Sequence, residues 1–142
     1  MTENKQGSLA DVQEIVGVKP DYLKKELFAG LCRRRLGDHV GLTQIGINHT
    51  VLNPGAHSAL GHWHEGEDEF IYVLSGEVSL IDDSGQRVLG AGSFAVFPCG
   101  SENGHHLVNA SDQPASFLEI GTRRRGADTV HYPDDDFGPI QR

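Results

Sequence analysis

Short apolar runs separated by glycine, proline and acidic turns recur along the chain from Leu42 onward. Runs bounded in this way are typical of β-strands. They predict strands over residues 42–52, 59–64, 69–74, 77–81, 86–89, 93–97, 105–109 and 115–120. Strands at intervals of roughly ten residues are typical of a sandwich or barrel, so the pattern predicts an all-β fold.

Two of the predicted strands, 70–74 and 94–97, are apolar on both faces. A strand of this kind is not stable with one face in water, so we expect both strands to be central and covered on both sides. The N-terminal segment or a second subunit would supply the outer cover.

The two ends of the chain have a different pattern. Residues 1–20 are polar and lack periodicity, which predicts a mobile arm. Apolar residues near helical spacing predict a helix between Pro20 and Leu31. We therefore expect an N-terminal arm over 1–36, a barrel over 37–122 and a solvated tail over 123–142, with Tyr132 or Phe137 packed against the barrel.

Composition narrows the function classes. The chain has 142 residues, the size of one domain, and a net charge of −8, which argues against nucleic acid and anionic membranes as partners. The arginine triplets 33–35 and 123–125 are better explained by ion pairs or solvation. Cys32 and Cys99 form no CxxC motif, and the sequence shows no apolar leader, so we expect a cytoplasmic protein.

The candidate chemistry lies in histidines. His62 and His64 are two apart on a predicted strand, so both rings project from one face. Glu69 opens the next strand and shares its inward face with apolar residues, where a carboxylate needs a cation or a donor. A third imidazole would come from His105 or His106, which point to opposite faces; we favour His105.

Three neutral imidazoles and a carboxylate form a divalent metal site. The sequence contains neither an HExxH helix nor a cysteine ligand set, so zincin and zinc-finger sites do not apply. Iron, manganese, nickel, zinc and copper all suit mixed nitrogen and oxygen ligands. Further polar residues could line the expected pocket or its mouth, but each alone is better explained as a structural hydrogen-bonding group: Gln44, Asn48, His57 and Asn109.

Two spaced motifs resemble the conserved motifs of the cupin superfamily. The first contains Gly55, His62, Trp63, His64, Glu69 and Gly76, and the second contains Gly92, Pro98, Gly100, His105 and Asn109. The spacing departs from the usual pattern by one extra residue before His62 and two before His105, so that Asn103 holds the usual position of the last histidine. From Leu36 to Phe137 the chain is similar to small bacterial cupins that also carry a Tyr-Pro-Asp tail.

The resemblance implies a double-stranded β-helix, a jelly-roll barrel, with one divalent transition metal ion inside. It also implies that His62, His64, Glu69 and His105 bind this ion, and that the protein forms a homodimer. Four ligand atoms leave coordination positions open, which favours an enzyme acting on a small oxygen-rich molecule as an oxygenase, isomerase or lyase. The alternative is a cupin that binds or senses a small ligand or a metal without turnover.

Overall fold

The computed structural model describes residues 3–142. Its strands are β1 (Glu14–Val16), β2 (Leu31–Arg35), β3 (Ile45–Leu52), β4 (Trp63–His64), β5 (Glu69–Ser75), β6 (Glu77–Asp82), β7 (Gly85–Gly90), β8 (Phe94–Phe97), β9 (His106–Val108), β10 (Ala115–Thr122), β11 (Thr129–His131) and β12 (Ile140–Gln141). One short helix, α1 (Leu36–His39), and two 3-10 turns, Leu9–Asp11 and Lys25–Phe28, complete the elements of the described residues. The predicted all-β class is confirmed.

The strands form one large sheet and two small ones. The larger sheet has the antiparallel order β1-β2-β3-β10-β5-β8, and the smaller sheets are β7-β6-β9 and β12-β11-β4. Neighbours such as β3 and β10 are distant in sequence, as in a jelly roll.

The core lies between the larger sheet and the β7-β6-β9 sheet. Val73 and Phe117 of the larger sheet are fully buried, and they belong to the same apolar cluster as Val78 and Leu107 of the smaller sheet. Because side chains alternate along each strand, the same inner face also carries polar residues at the strand ends, where the candidate site lies.

The N-terminal segment differs from the expectation. The predicted helix between Pro20 and Leu31 is wrong, because only Lys25–Phe28 forms a 3-10 turn and Leu31 begins β2. Leu31 pairs with Leu52 and is 1% exposed, so burial in the sheet overrides the helical spacing. Strands β1 and β2 of the larger sheet thus lie within the segment expected to be an arm.

The two strands that are apolar on both faces, β5 and β8, have different positions in the sheet. Strand β5 lies between β10 and β8 as predicted, but β8 is at the sheet edge, with Phe94 62% and Val96 56% exposed. The expectation that β8 is central is therefore wrong, and within the single chain the outer faces of both strands are exposed. Four exposed residues of this face form what we call the outer apolar patch: Tyr72, Leu74, Phe94 and Val96.

Several predicted boundaries also shift. The strand expected over 59–64 is reduced to Trp63–His64, because His62 forms an isolated bridge with His105 instead. The tail after Gly121 is not simply solvated, since β11 pairs with both β4 and β12. Tyr132 and Phe137 pack against the core as predicted. In the described part of the chain, no helix is long and apolar enough to cross a membrane.

Candidate metal centre

Four side chains from separate stretches of sequence meet at one point inside the barrel. The Nε2 atoms of His64, His105 and His62 lie 3.1, 3.2 and 3.4 Å from Glu69 Oε1. These are the four residues that the sequence analysis selected. His106, the alternative to His105, points away and stacks against His57.

Backbone pairing explains how distant residues come together. His62 and His105 exchange two backbone hydrogen bonds, N to O, of 3.2 and 2.9 Å. Their rings are therefore held with centroids 4.6 Å apart. Phe97, the partner of Glu69 across β5 and β8, stacks flat on the ring of His105 at 3.6 Å. The extra residues before His62 and His105 are accommodated, because the two histidines are aligned by their own bridge.

Two of the histidines are oriented through their other ring nitrogen. Nδ1 of His62 lies 2.8 Å from the carbonyl oxygen of Leu60, and Nδ1 of His64 lies 2.7 Å from Asp128 Oδ2. A hydrogen on each Nδ1 donates to these acceptors, which leaves the Nε2 lone pair directed at the centre. This arrangement is the one that metal-binding histidines require.

Glu69 carries a concentrated negative charge at the centre. Its Oε1 atom is buried and has no hydrogen-bond partner among the described residues. Burial would raise the pKa of Glu69, but the surrounding imidazoles of His105, His62 and His64 hold it far below its usual range. The carboxylate is therefore ionised at every physiological pH.

The surrounding histidines respond differently to this charge. Burial would lower the pKa of His64, but the adjacent carboxylates of Glu69 and Asp128 outweigh burial and raise it to about 8. For His105, burial dominates and lowers the pKa. Without a metal ion, His64 is thus an imidazolium near neutral pH, whereas a neutral ring is favoured at His105.

The donor set fits a divalent metal ion. Adjacent ligands at about 2.1 Å from one ion lie roughly 3.0–3.4 Å apart in octahedral or tetrahedral geometry. The three distances to Glu69 Oε1 fall in or at the edge of this range. A cation would also supply the partner that the buried Oε1 atom lacks.

A second acidic group lies behind His64 and was missed by the sequence analysis. His64 Nδ1, Glu67 and Asp128 are close together and buried. The 2.7 Å contact between His64 and Asp128 is a hydrogen bond, so Asp128 orients the imidazole. Glu67 is 8% exposed and accepts the backbone N–H of Arg124. The pairing of Val130 with His64 brings Asp128 to this position.

The other polar candidates take mostly structural positions. Asn109 is fully buried, and its amide donates to the carbonyl oxygens of Leu52 and Gln113. His57 lies in the stack with His106. Gln44 precedes β3 and accepts the backbone N–H of Arg123, whereas Asn48 does line the cavity described next.

A cavity of about 410 Å³ opens beside the centre. Its walls include His62, His64 and Glu69, and also Tyr132 and Glu119. Arg33 binds both carboxylate oxygens of Glu119, at 2.8 and 3.3 Å, as the expectation of ion-paired arginines predicted. The candidate metal centre thus faces a polar space large enough for a small molecule.

Comparisons with known proteins agree with this architecture. The cupin domain family matches residues 48–121. The crystal structure of a sugar phosphate isomerase of the cupin superfamily from Silicibacter pomeroyi is 39% identical, with a TM-score of 0.87 over 93% of this chain and 83% of that chain. A candidate sugar phosphate isomerase from Acidithiobacillus ferrooxidans is 36% identical, with a TM-score of 0.69 over 76% of this chain and 69% of that chain.

More distant structures share the fold. The polyketide cyclase RemF from Streptomyces resistomycificus is 23% identical, with a TM-score of 0.71 over 89% of this chain and 84% of that chain. A comparison with curated proteins finds no match. On the family match and the 39% identity to the Silicibacter pomeroyi structure, the chain belongs to the cupin superfamily.

Proposed function

We propose that the protein is a metal-dependent isomerase that interconverts aldose and ketose forms of a phosphorylated sugar. The observation that carries this proposal is the convergence of His62, His64 and His105 on Glu69 Oε1 beside the polar cavity. The similarity over 93% of the chain to a sugar phosphate isomerase selects this reaction among those a cupin metal centre can perform.

In this proposal the four side chains hold one divalent transition metal ion. The ion, when bound, supplies a Lewis acid that polarises the carbonyl oxygen of the sugar. The fixed Nδ1 contacts of His62 and His64 keep the Nε2 atoms in place, so the centre needs little rearrangement when the substrate binds.

Two further groups on the cavity wall are suited to orient the sugar. Burial raises the pKa of Tyr132 to about 12, so its hydroxyl stays protonated and donates a hydrogen bond. The carboxylate of Glu119, held by Arg33, accepts hydrogen bonds from sugar hydroxyls. Both groups line the same cavity as the metal centre.

The test is a pair of measurements on one purified preparation. Elemental analysis is expected to find about one transition metal ion per chain, and NMR is expected to detect conversion of an aldose phosphate to its ketose without oxygen. The His64→Ala variant should lose both the metal and the conversion. If the metal is bound but no sugar phosphate in a broad panel is converted, the isomerase proposal is wrong and the non-catalytic binding alternative replaces it.

We further propose that the outer apolar patch is covered by a second copy of the chain. Exposed large apolar residues concentrated on one sheet face mark an interaction surface. Sedimentation should give a dimer, and Phe94→Lys should shift the protein to monomer. The matched control is Val88→Lys, which changes an equally exposed apolar residue on the β7-β6-β9 sheet. This substitution should leave the dimer intact. A monomeric parent protein contradicts this proposal.

We also propose a cytoplasmic location. Both cysteines are free thiols, and Cys99 is exposed, which suits a reducing compartment. Localisation of the tagged protein in its host cell tests this expectation.

A further inference from the structure

The inner face of the larger sheet has an open floor beside the metal centre. Glu69, Gly121 and Gly46 are in register across β5, β10 and β3, and the alternation along each strand directs all three positions inward. Because Gly121 has no side chain, β10 leaves the floor open between Glu69 and Gly46. Two inter-strand spacings make this floor roughly 10 Å long, comparable to a short sugar phosphate.

A guanidinium lies at the far end of this floor. A Cβ atom on Gly46 would lie 3.1 Å from both Nε and Nη2 of Arg123, so the Arg123 side chain lies directly over this glycine. The position is fixed because Arg123 Nη1 pairs with Asp38 and the Arg123 backbone N–H donates to Gln44.

Further arginines line the same cavity. Arg35 shares the inward face of β2 with Arg33, but the guanidinium of Arg33 is occupied by Glu119. Within residues 3–142, no salt bridge involves Arg35 or Arg142, which also lines the cavity. Among the described residues, Arg35 and Arg142 therefore form no ion pair, and Arg123 pairs with Asp38.

The charge balance of this cavity differs from that of the whole chain. The protein carries a net charge of −8, whereas four arginines and three glutamates line the cavity. Arg35 and Arg123 lie at its β2–β3 side, away from Glu69 on β5, and positive charge in a cleft attracts an anionic ligand. Guanidinium groups bind phosphate oxygens in pairs and with high specificity.

We propose that Arg35 and Arg123, assisted by Arg142, form an anion subsite that binds the phosphate group of the sugar, with the sugar carbons lying over Gly121 toward the metal centre. The inference rests on the proposed function and names which residues select a phosphorylated substrate over a free sugar. The subsite and the metal centre are thus the two ends of one elongated binding site.

Binding measurements test the subsite separately from turnover. Calorimetry would measure the affinities of inorganic phosphate, ribose 5-phosphate and ribose for the metal-free protein. The same three ligands would then be measured with the metal-loaded protein. We expect inorganic phosphate and ribose 5-phosphate to bind the metal-free protein, with ribose 5-phosphate binding at least tenfold more tightly than ribose. Each of Arg35→Gln and Arg123→Gln should weaken both phosphate ligands about tenfold, since a hydrogen bond to a charged group is lost.

The matched control is Arg125→Gln, which removes the same charge two residues from Arg123 at an exposed position outside the cavity lining. The Arg125→Gln variant should bind inorganic phosphate and ribose 5-phosphate with the affinities of the parent protein. Unchanged thermal unfolding and metal content in all three variants would show that they fold and keep the centre.

The outcomes separate the subsite from the isomerase. Equal affinities for ribose and ribose 5-phosphate, or an undiminished phosphate preference in both variants, would overturn the subsite. Conversion of free sugars as fast as their phosphates would also overturn it while leaving isomerisation intact. Binding of phosphorylated ligands that depends on Arg35 and Arg123, without conversion, would support the subsite and reject the isomerase.

Discussion

The molecule contains two clusters of histidine that look alike in sequence and differ in structure. In the candidate metal centre, His62, His64 and His105 converge on a buried carboxylate oxygen. On the outer side of the β7-β6-β9 sheet, the rings of His57 and His106 stack in parallel with centroids 5.5 Å apart. Only the first cluster combines a shared anion with fixed ring orientations. The comparison shows that proximity alone does not make histidines a candidate metal site. One ring nitrogen must face a shared anion, and the other must be held by a hydrogen-bond acceptor.

The largest effect on metal affinity is expected when the shared anion is removed. Glu69→Gln should lower metal affinity more than a hundredfold, because loss of a direct ligand exceeds the roughly 10–100-fold cost of losing an outer partner. Elemental analysis after dialysis measures this loss. The control variant His57→Ala, which alters the stacked pair, should keep the metal. If Glu69→Gln also retains the metal, the shared anion is not what distinguishes the two clusters.

The next effect distinguishes adjacent residues that point to opposite faces. His105→Ala should lose most of the metal, about a hundredfold in affinity, because its Nε2 atom is 3.2 Å from Glu69 Oε1. His106→Ala should bind metal as the parent does, since its ring belongs to the stacked pair. The reverse result would place the third ligand on His106.

A smaller effect follows from the residue behind His64. Asp128→Asn keeps the shape but loses the charge that holds Nδ1 of His64, so metal affinity should fall about tenfold. Isothermal titration with zinc measures the change. Asp134→Asn, an acidic residue on the exposed C-terminal segment, is the matched control and should have no effect. Equal affinities of the two variants would deny Asp128 its orienting role.

The smallest effect is a pH dependence that differs between the clusters. In metal-free protein, NMR should show His64 titrating at about 8, whereas burial lowers the pKa of His57 and His106 below 6.5. Metal must displace the His64 proton, so affinity should fall as the pH drops through 8, by up to about tenfold per unit. Affinity that stays constant between pH 8.5 and 7 would contradict this expectation.

The same shift has a defined sign for stability. The folded-state pKa of His64 is raised above 6.5, so its contribution to the stability of the metal-free protein is complete below that pH and is lost as the pH rises through about 8. Chemical unfolding of the metal-free protein at several pH values should follow this trend.

Local pattern was sufficient for much of the fold and for the candidate site. Alternation along the strands placed His62 and His64 on one face and Glu69 on the inner face of β5, and face assignment selected His105 over His106. These inferences needed only the geometry of a strand. The spacing departures did not matter, because the His62–His105 bridge aligns the rings.

What local pattern missed depends on contacts between distant parts of the chain. Asp128 lies in a polar segment and becomes an orienting residue only because β11 pairs with β4. Leu31 follows helical spacing but is drawn into a strand by Leu52. The arginine triplets were expected to be ion-paired or solvated, but the approach of Arg123 to Gly46 depends on the register of the sheet.

The pairing of β11 with β4 has a practical consequence for truncation. A fragment limited to residues 48–121, the span of the family match, would lack β2, Asp128 and Tyr132. Such a fragment would expose the side of His64 that β11 protects, and it would remove one wall of the cavity. The smallest unit that preserves the candidate site is therefore considerably longer than the span of the family match, and deletions that reach β2 or β11 alter the surroundings of its residues.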